Sequence, residues 1–501
     1  MTEPIYENIK LNSSLCVKTD RLRLENKTDI VTDRVERVLD VTAFVSLEEK
    51  AVSSGKIRYG GKIIYQIFYQ DKDGALKKHE CGSEYAGVLV DDSITDGCTV
   101  PLSVSVEKTE TDVSGIRLTV AVYLTVKAEV CACNEIKAFC GGDGVIVNKT
   151  ETPVVKSFGT VKTVYPLEEE FELSFPIKEA LSHSVNAVIT SVQCGVGSII
   201  VDGEAVFRAL FLKDGEEAEL VKETKNIPYR VEIECEDAMP SMQAIARVFE
   251  KSFKSDISVD GETGKSVVAL SVSLIFEGEA FTEERVNLAS DAFSLTENVE
   301  VVSDSFTARK LCELRSFTER VSGRAVIELS ADARLIATGG ERLELASVLI
   351  KDGGLAIDGV LTVNCYFADG NGKNFALPCQ TPVAIELSQN LDCKCVPEVL
   401  VTVKTATARV VSLSEAELEA EVFITVYPTE CQDVKYLKEI KACGEKKQET
   451  SAISVYIPMA NEELWSLSKR LNVCPEELVA TNKDLQFPLT GKERIVIYRQ
   501  M

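Results

Sequence analysis

One short motif occurs three times in this chain of 501 residues, and no other feature constrains the fold as strongly. In each copy a glycine precedes an apolar run, an aromatic residue follows eight positions later, and a turn rich in glycine and aspartate comes next. The copies are residues 58–74, 201–215 and 357–372, with anchor glycines Gly61, Gly203 and Gly359 and aromatics Tyr69, Phe211 and Phe367. The anchor glycines are 142 and 156 residues apart, which predicts a repeated unit of about 150 residues.

Each motif has the pattern of a strand followed by a tight hairpin. In the first copy the apolar positions Ile63, Tyr65, Ile67 and Tyr69 alternate, which predicts a half-buried strand. The Asp-Gly sequences that follow supply the positions of positive φ that a hairpin turn requires. A second strand run, rich in valine, occurs later in each unit, at 118–130, 267–281 and 416–428.

These patterns predict a mainly β fold, with three tandem β-sandwich-like repeat domains followed by a small βααβ domain. The predicted domains are repeat 1 at 1–150 (core about 36–130), repeat 2 at 151–310 (core about 180–282), repeat 3 at 311–443 (core about 325–430), a linker at 444–451 and the C-terminal domain at 452–501. The connectors near 150–175 and 282–325 have strand character, so we expect them to pair with the neighbouring repeats.

The C-terminal domain has a different pattern. Strands are predicted at 451–458 and 494–499, and helices at 463–471 and 475–482. The first helix places Leu464, Leu467, Leu471 and the sole tryptophan, Trp465, where they are expected to close a small core. Asn461 is expected to cap this helix.

Residues 464–482, LWSLSKRLNVCPEELVATN, resemble the LysM family, and the resemblance covers essentially all of 452–499. It implies a module that binds polymers containing N-acetylglucosamine, such as peptidoglycan, through two loops. Here Asn461-Glu462-Glu463 stands where the family has Gly-Asp-Thr, and Lys483 replaces a frequent proline. These departures favour a protein partner over a glycan. For Trp465, core packing is the main interpretation and sugar stacking the alternative.

Three β repeats with a C-terminal LysM module resemble the SPOCS-domain spore coat morphogenetic family (SipL type). The resemblance implies a non-enzymatic adaptor or scaffold, made in the cytoplasm of the mother cell and recruited to the forespore surface. Its LysM module would bind the morphogenetic ATPase of the coat basement layer. The alternative is a peptidoglycan-binding protein anchored by its LysM module at the cortex or cell wall.

The candidate partner-binding residues flank the two loops at which LysM modules meet their ligands. For Phe487 two interpretations stay open, an exposed anchor for the partner or a side chain packed under the second helix. The six candidates are Asn461, Glu462, Glu463, Leu485, Gln486 and Phe487.

The charge and the ends of the chain exclude several classes of partner. The formal net charge of −24 argues against nucleic acid, because a phosphate backbone selects basic surfaces. Nearly all of the excess acid lies before residue 452, since 452–501 contains six basic and six acidic residues. The first residues, MTEPIYENIKLNSSL, do not have the pattern of a signal peptide, and no run is apolar enough to insert into a membrane. We therefore expect the 16 cysteines to be reduced thiols.

No catalytic motif stands out, and we expect no cofactor, no metal and no enzymatic activity. The only histidines, His79 and His183, fall in different repeats. The run GETGKS at 261–266 ends like a phosphate-binding loop, but Val259 occupies the position of the first glycine, so a hairpin turn is expected. The Cys-x-Cys pairs at 131/133 and 393/395 lack a second half with metal-site spacing. An unusual pair of carboxylates is the remaining enzymatic alternative.

Overall fold

The structure is a computed structural model. It describes residues 4–30, 35–114, 116–215, 219–259, 265–311, 314–351, 353–370, 374–387, 397–427, 429–446 and 452–498. The described part of the chain is mainly β, as predicted, with two short helices near its end. No helix among these residues has the length and apolar character needed to cross a bilayer.

The first part of the chain forms two antiparallel sheets, which we call the first sheet pair. Its strands are β1 (Ile5–Asp29), β2 (Val35–Ser53), β3 (Lys56–Asp71), β4 (Leu76–Val90), β5 (Cys98–Thr99), β6 (Leu102–Ser114) and β7 (Arg117–Gly141). One sheet is the meander β2-β3-β4. In the other sheet β7 is the central strand, which pairs with β1 on one side and with β6 and the short β5 on the other. Apolar side chains between the sheets form one core, which includes Tyr69.

The second and third sheet pairs have the same arrangement. The second contains β8 (Val145–Leu173), β9 (Ile177–Cys194), β10 (Ser198–Lys213), β11 (Leu220–Glu234), β12 (Gln243–Val259) and β13 (Ser266–Ser294). The third contains β15 (Arg315–Val326), β16 (Arg334–Lys351), β17 (Gly354–Ala368), β18 (Asn374–Leu387), β19 (Glu398–Ser412) and β20 (Glu415–Tyr427). The meanders are β9-β10-β11 and β16-β17-β18, and β13 and β20 are the central strands of the opposing sheets.

The anchor glycines lie where two neighbouring strands leave no room for a side chain. A Cβ at Gly61 would lie 1.9 Å from the Ser46 carbonyl oxygen, and one at Gly203 would lie 2.3 Å from both the Val188 carbonyl oxygen and the Tyr229 ring. In each copy the strand before the glycine carries an irregularity in its register at this level. The glycine of the motif is therefore explained by close backbone approach rather than by turn formation.

The motif strands are buried on both faces in their second halves, which differs from the half-buried strand predicted by alternation. Residues 65–71, 205–212 and 361–367 are buried without interruption. The aromatics eight positions after the anchor glycines face the cores of their own sheet pairs. The residues just before them, Phe68, Leu210 and Tyr366, belong to a separate central cluster to which all three sheet pairs contribute. The second face is buried because the three meanders pack against one another.

A buried polar residue from each motif links its sheet pair to another one. Five positions after the anchor glycines stand Gln66, Arg208 and Asn364, each at most 9% exposed. Gln66 bonds through its side chain to His183 of the second pair (2.5 Å), Arg208 donates to the Val403 carbonyl of the third (2.9 Å), and Asn364 donates to Asp40 of the first (2.8 Å). Since each residue contacts a different pair, the three sheet pairs form a closed ring.

The long strands extend past the sheet pairs as two-stranded ribbons. Ends of β1 and β7 form one ribbon, ends of β8 and β13 form another, and β14 (Glu297–Leu311) with β21 (Thr429–Glu445) forms the third. The three ribbons share two apolar cores, one around Leu288 and Tyr436 and one around Phe139 and Leu437. The connectors predicted to have strand character, near 150–175 and 282–325, lie in β8, the end of β13, β14 and β15, which are all paired strands, while residues 312–313 lie outside the described residues.

The strand partners change at places other than the predicted domain boundaries. The boundary at 150/151 falls inside β8, which pairs with β13 along its length, so the change of partner lies between Gly141 and Val145. The boundary at 310/311 falls at the end of β14, which pairs with β21 of the last ribbon. The predicted linker at 444–451 overlaps the end of β21, and residues 447–451 lie outside the described residues.

The C-terminal residues form β22 (Ile453–Tyr456), α1 (Leu464–Leu471), α2 (Pro475–Thr481) and β23 (Ile495–Tyr498). The two strands pair in an antiparallel sheet, and the order of elements is the predicted βααβ. We call this part, residues 452–498, the C-terminal module.

Candidate functional site

The C-terminal module has an apolar core of its own. Leu467 and Leu471 of α1 and Leu478 of α2 pack against Ile495 and Ile497 of β23, and Leu464 contacts the same cluster. The predicted core-facing leucines of the first helix are therefore confirmed. This small core positions the two loops in which the candidate residues lie.

The first loop is held by internal bonds. The Glu462 carboxylate accepts two hydrogen bonds from Arg470, both 2.9 Å long, and one from the Met459 amide. The bond from the Arg470 guanidinium holds the pKa of Glu462 below its ordinary value, so this carboxylate is already neutralised within the module. The expected cap at Asn461 is wrong, because the residue before the helix is Glu463 and no side-chain cap bond forms. Asn461 has a positive φ of 62° instead.

The second loop packs inward more than expected. Leu485 and Phe487 are half-buried against the core of the module, whereas Gln486 is exposed. Of the two interpretations of Phe487, packing agrees with this placement. The loops lie side by side, since the Asn461 amide donates to the Leu489 carbonyl (2.7 Å) and the Leu489 amide donates to the Glu462 carbonyl (3.0 Å). The structure thus joins the two loops at Leu489, and among the six candidates Asn461, Glu463 and Gln486 are exposed.

Trp465 faces neither the core of the module nor open solvent. Its ring meets the Phe293 ring of β13 edge to face, with centroids 5.3 Å apart, and its indole Nε1 donates to an Asp291 carboxylate oxygen at 2.8 Å. Lys469, one turn along α1, donates to both oxygens of the same carboxylate at 2.7 Å. Of the two interpretations, core packing within the module is wrong, because Trp465 packs on the second ribbon and attaches the module to it.

Two further contacts complete this attachment. The Asn472 side chain, at the end of α1, donates to the Leu295 carbonyl (2.8 Å) and accepts a hydrogen bond from Lys446 (2.8 Å). Lys446 also donates to the Ser294 carbonyl (2.7 Å). Polar residues of α1 and of the segment after β21 therefore fix the orientation of the module on the end of the ribbons.

An exposed apolar surface of the module was missed by the sequence analysis. The outer face of the two-stranded sheet and the segment after β22 expose Ile453, Val455, Ile457, Met459 and Tyr498, which are 60–71% exposed. Ile453 lies opposite Tyr498 in the register, so these side chains share one face. We call these five residues the apolar face. The sequence pattern pointed the other way, since Ile453, Val455 and Ile457 alternate with Ser454 and Tyr456, yet Tyr456 packs on the core of the module and the apolar set is exposed.

The outer edge of β22 lies beside this face. The Asn482 amide bonds the main-chain N–H and C=O of Val496 (both 2.8 Å), so these groups point away from β22. Because main-chain groups alternate along an antiparallel strand, those of Ile453 and Val455 point to the outer edge of β22. No described strand pairs with that edge.

The two histidines, which the sequence analysis considered as catalytic groups, each form hydrogen bonds within the fold. Burial lowers the pKa of His183 to about 3, and the Gln66 side chain and Ser255 occupy its two ring nitrogens. His79 bonds Thr28 in the first sheet pair. Of the GETGKS run, Ser266 begins β13, which pairs with β12, and residues 261–264, where the turn was expected, lie outside the described residues. Within the described ranges no cluster of His, Cys, Asp or Glu is arranged to hold a metal. The second Cys-x-Cys pair lies outside them.

The comparisons with known proteins return no relative: no family model, no curated protein and no solved structure matches this chain.

Proposed function

We propose that this protein is a non-enzymatic adaptor of the spore coat. In this proposal three SPOCS-like β-sandwich repeats carry a LysM-like module, which binds the morphogenetic ATPase of the coat basement layer. The protein acts in the cytoplasm of the mother cell and is recruited from there to the forespore surface. The matching strand order of the three sheet pairs supports the repeat, and the βααβ order supports the LysM-like module.

The observation that carries the proposal is the apolar face. Five large apolar side chains of β22, the segment after it and β23 are each at least 60% exposed on a module of fewer than fifty described residues. Contiguous apolar surface of this kind is typical of protein interfaces, because its removal from water stabilises the complex. The outer edge of β22 adds main-chain donors and acceptors that an extended segment of a partner can pair with.

The two loops favour a protein over a glycan. A sugar-binding loop presents free hydrogen-bonding groups and an aromatic ring for stacking. Here the Glu462 carboxylate is bonded to Arg470. The Trp465 ring packs against β13, and Phe487 packs on the core of the module. Asn461, Glu463 and Gln486 stay exposed at the loops, but the Trp465 and Phe487 rings are both engaged in packing, whereas the side chains of the apolar face are exposed.

The attachment of the module suits an adaptor. Trp465, Lys469 and Asn472 fix α1 on the ribbon end, and the apolar face belongs to different elements of the module. A partner on the apolar face can therefore bind while the module stays attached to the rest of the chain. The acidic repeats keep the assembly away from anionic polymers, in agreement with a protein partner.

The test is a paired assay on the full chain. One arm measures co-purification with the basement-layer ATPase of the same organism, and the other measures pelleting with purified peptidoglycan. The proposal predicts capture of the ATPase without pelleting. Pelleting without capture would contradict it and favour the alternative, a peptidoglycan-binding protein anchored at the cortex or cell wall.

A further inference from the structure

Met459 is the methionine of the apolar face. It lies in the segment between β22 and α1, and its side chain is 65% exposed. The other members of the face are the aliphatic Ile453, Val455 and Ile457 and the phenol Tyr498. Peroxides oxidise a thioether in a single two-electron step, whereas aliphatic side chains do not react with them. Met459 is therefore the position at which mild oxidation changes the chemistry of this face.

The main chain around Met459 is held by hydrogen bonds that do not use its side chain. The Met459 amide donates to the Glu462 carboxylate (2.9 Å), and the Met459 carbonyl accepts from the Glu462 amide (3.3 Å). Two residues further along the chain, the Asn461 amide donates to the Leu489 carbonyl (2.7 Å). A change at the sulfur of Met459 leaves these bonds in place, so it should alter the surface of the module and not its fold.

Two other methionines lie in the described part of the chain, and both are less exposed. Met239 is 48% exposed and Met242 is half-buried, and they lie between β11 and β12 of the second sheet pair. Because an oxidant must reach the sulfur to react with it, we expect Met459 to oxidise ahead of both. Met239 is also a matched control, since it is an exposed methionine outside the C-terminal module.

The only cysteine of the module is a weaker target for a peroxide. Peroxides attack the thiolate, which is far more nucleophilic than the protonated thiol. Burial raises the pKa of Cys474, and its Sγ donates to a Glu476 carboxylate oxygen at 2.6 Å, which also favours the protonated form. Cys474 lies directly before α2 and is not a member of the apolar face.

The product of the reaction at Met459 is a methionine sulfoxide. The thioether sulfur forms a bond to one peroxide oxygen, the O–O bond breaks, and the other oxygen leaves as water, so sulfur loses two electrons and the peroxide gains them. The new S=O group is a polar acceptor on a flexible side chain that was apolar. A partner that covers the face must take this oxygen out of water, and burial of a polar group without a donor is unfavourable.

We propose that Met459 is a redox-sensitive modification site, whose oxidation to the sulfoxide by a peroxide weakens binding of the protein partner to the apolar face. A methionine sulfoxide reductase reverses the change, since its dithiol supplies two electrons and two protons, the sulfoxide oxygen leaves as water, and the dithiol becomes a disulfide. This inference rests on the proposed function, because it assigns a means of regulation to the same face.

The test treats the full chain with increasing amounts of hydrogen peroxide. Peptide mass spectrometry locates the sulfoxides, and the affinity for the basement-layer ATPase is measured on the same samples. We expect the Met459 sulfoxide to form before the Met239 sulfoxide and the affinity to fall about tenfold. Treatment with a methionine sulfoxide reductase should restore the affinity, and this arm needs no variant.

Two variants separate Met459 from the other oxidisable groups. Met239→Leu should lose affinity on oxidation as the wild type does, whereas Met459→Leu should keep the affinity that it has before treatment. Oxidation of Met239 ahead of Met459, an affinity that survives oxidation of Met459, or an equal loss in Met459→Leu would overturn this inference alone. Failure of the untreated wild-type chain to bind the ATPase would overturn the proposed function, and the inference with it.

Discussion

Replacement of Asp291 by alanine should loosen the C-terminal module from the ribbons. The Asp291 carboxylate accepts from Lys469 through both oxygens and from the Trp465 indole, all at 2.7–2.8 Å. The Lys469–Asp291 pair is partly exposed, with side chains 42% and 32% exposed, so we count it at only about 0.5 kcal/mol. The indole bond to a charged acceptor adds about 1.5 kcal/mol. The total of about 2 kcal/mol corresponds to an attachment equilibrium weakened about 30-fold.

The sole tryptophan of the chain reports this directly. In Asp291→Ala the emission of Trp465 should shift to the red at a lower denaturant concentration than in the wild type, while the β signal in far-UV circular dichroism unfolds as before. Asp291→Asn keeps an acceptor for the indole and should show a smaller change. Asp304→Ala is the matched control, since Asp304 pairs with Lys438 on the third ribbon. Coincident fluorescence curves for Asp291→Ala and Asp304→Ala would refute the reasoning.

Acid should act on the same contact. Burial raises the pKa of Asp291, but the hydrogen bonds from Lys469 and Trp465 lower it more, so the net pKa lies below its ordinary value of 3.8. A carboxyl with a depressed pKa contributes its stabilisation above the ordinary value and loses it as the pH falls through the depressed one. The Trp465 emission of the wild type should therefore shift to the red below pH 3.8, and that of Asp291→Asn should lose this step.

Two further predictions concern the sheet pairs. Gly203→Ala places a Cβ 2.3 Å from the Tyr229 ring and should destabilise the protein by about 3 kcal/mol in chemical denaturation. Gly97→Ala is the control and should be nearly neutral, because the space around Gly97 is open. Equal stabilities of the two variants would contradict the close-approach explanation. Burial lowers the pKa of His183 to about 3, so the unfolded chain binds a proton that the folded chain does not, and stability should fall by up to about 1.4 kcal/mol per pH unit as the pH drops from 6.5 towards 3. His183→Gln should reduce this dependence of stability on pH. An unchanged dependence in His183→Gln would show that other titrating groups cause it.

The local structure of the sheet pairs was predictable because it depends on short-range patterns. Alternation, Asp-Gly turns and Val-rich runs predicted the motif strands, the hairpins after them and the central strands of the opposing sheets. Gly74 at the first hairpin has the positive φ that the turn requires. The βααβ order and the leucines of the small core followed from helical periodicity in the same way.

The arrangement between units was not predictable, because it depends on contacts across more than a hundred residues. Burial of the second faces at Phe68, Leu210 and Tyr366 results from the ring of three sheet pairs, and alternation in one strand carries no information about it. Trp465 has the spacing of a core residue, yet its partner is Phe293 on another element. The cap at Asn461 failed for a local reason, since Glu462 bonds Arg470 and the chain enters the helix through Glu463.

The claim that the C-terminal module binds a protein through its apolar face is tested most directly by affinity measurements with the basement-layer ATPase. The full chain is compared with Val455→Asp, which places a charge at the centre of the face, and with Val326→Asp on β15, where the side chain is 87% exposed and far from the module in sequence. We predict that Val455→Asp weakens binding at least about tenfold, as loss of a central interface residue does, and that Val326→Asp leaves it unchanged. Equal affinity of Val455→Asp and the wild type would contradict the account.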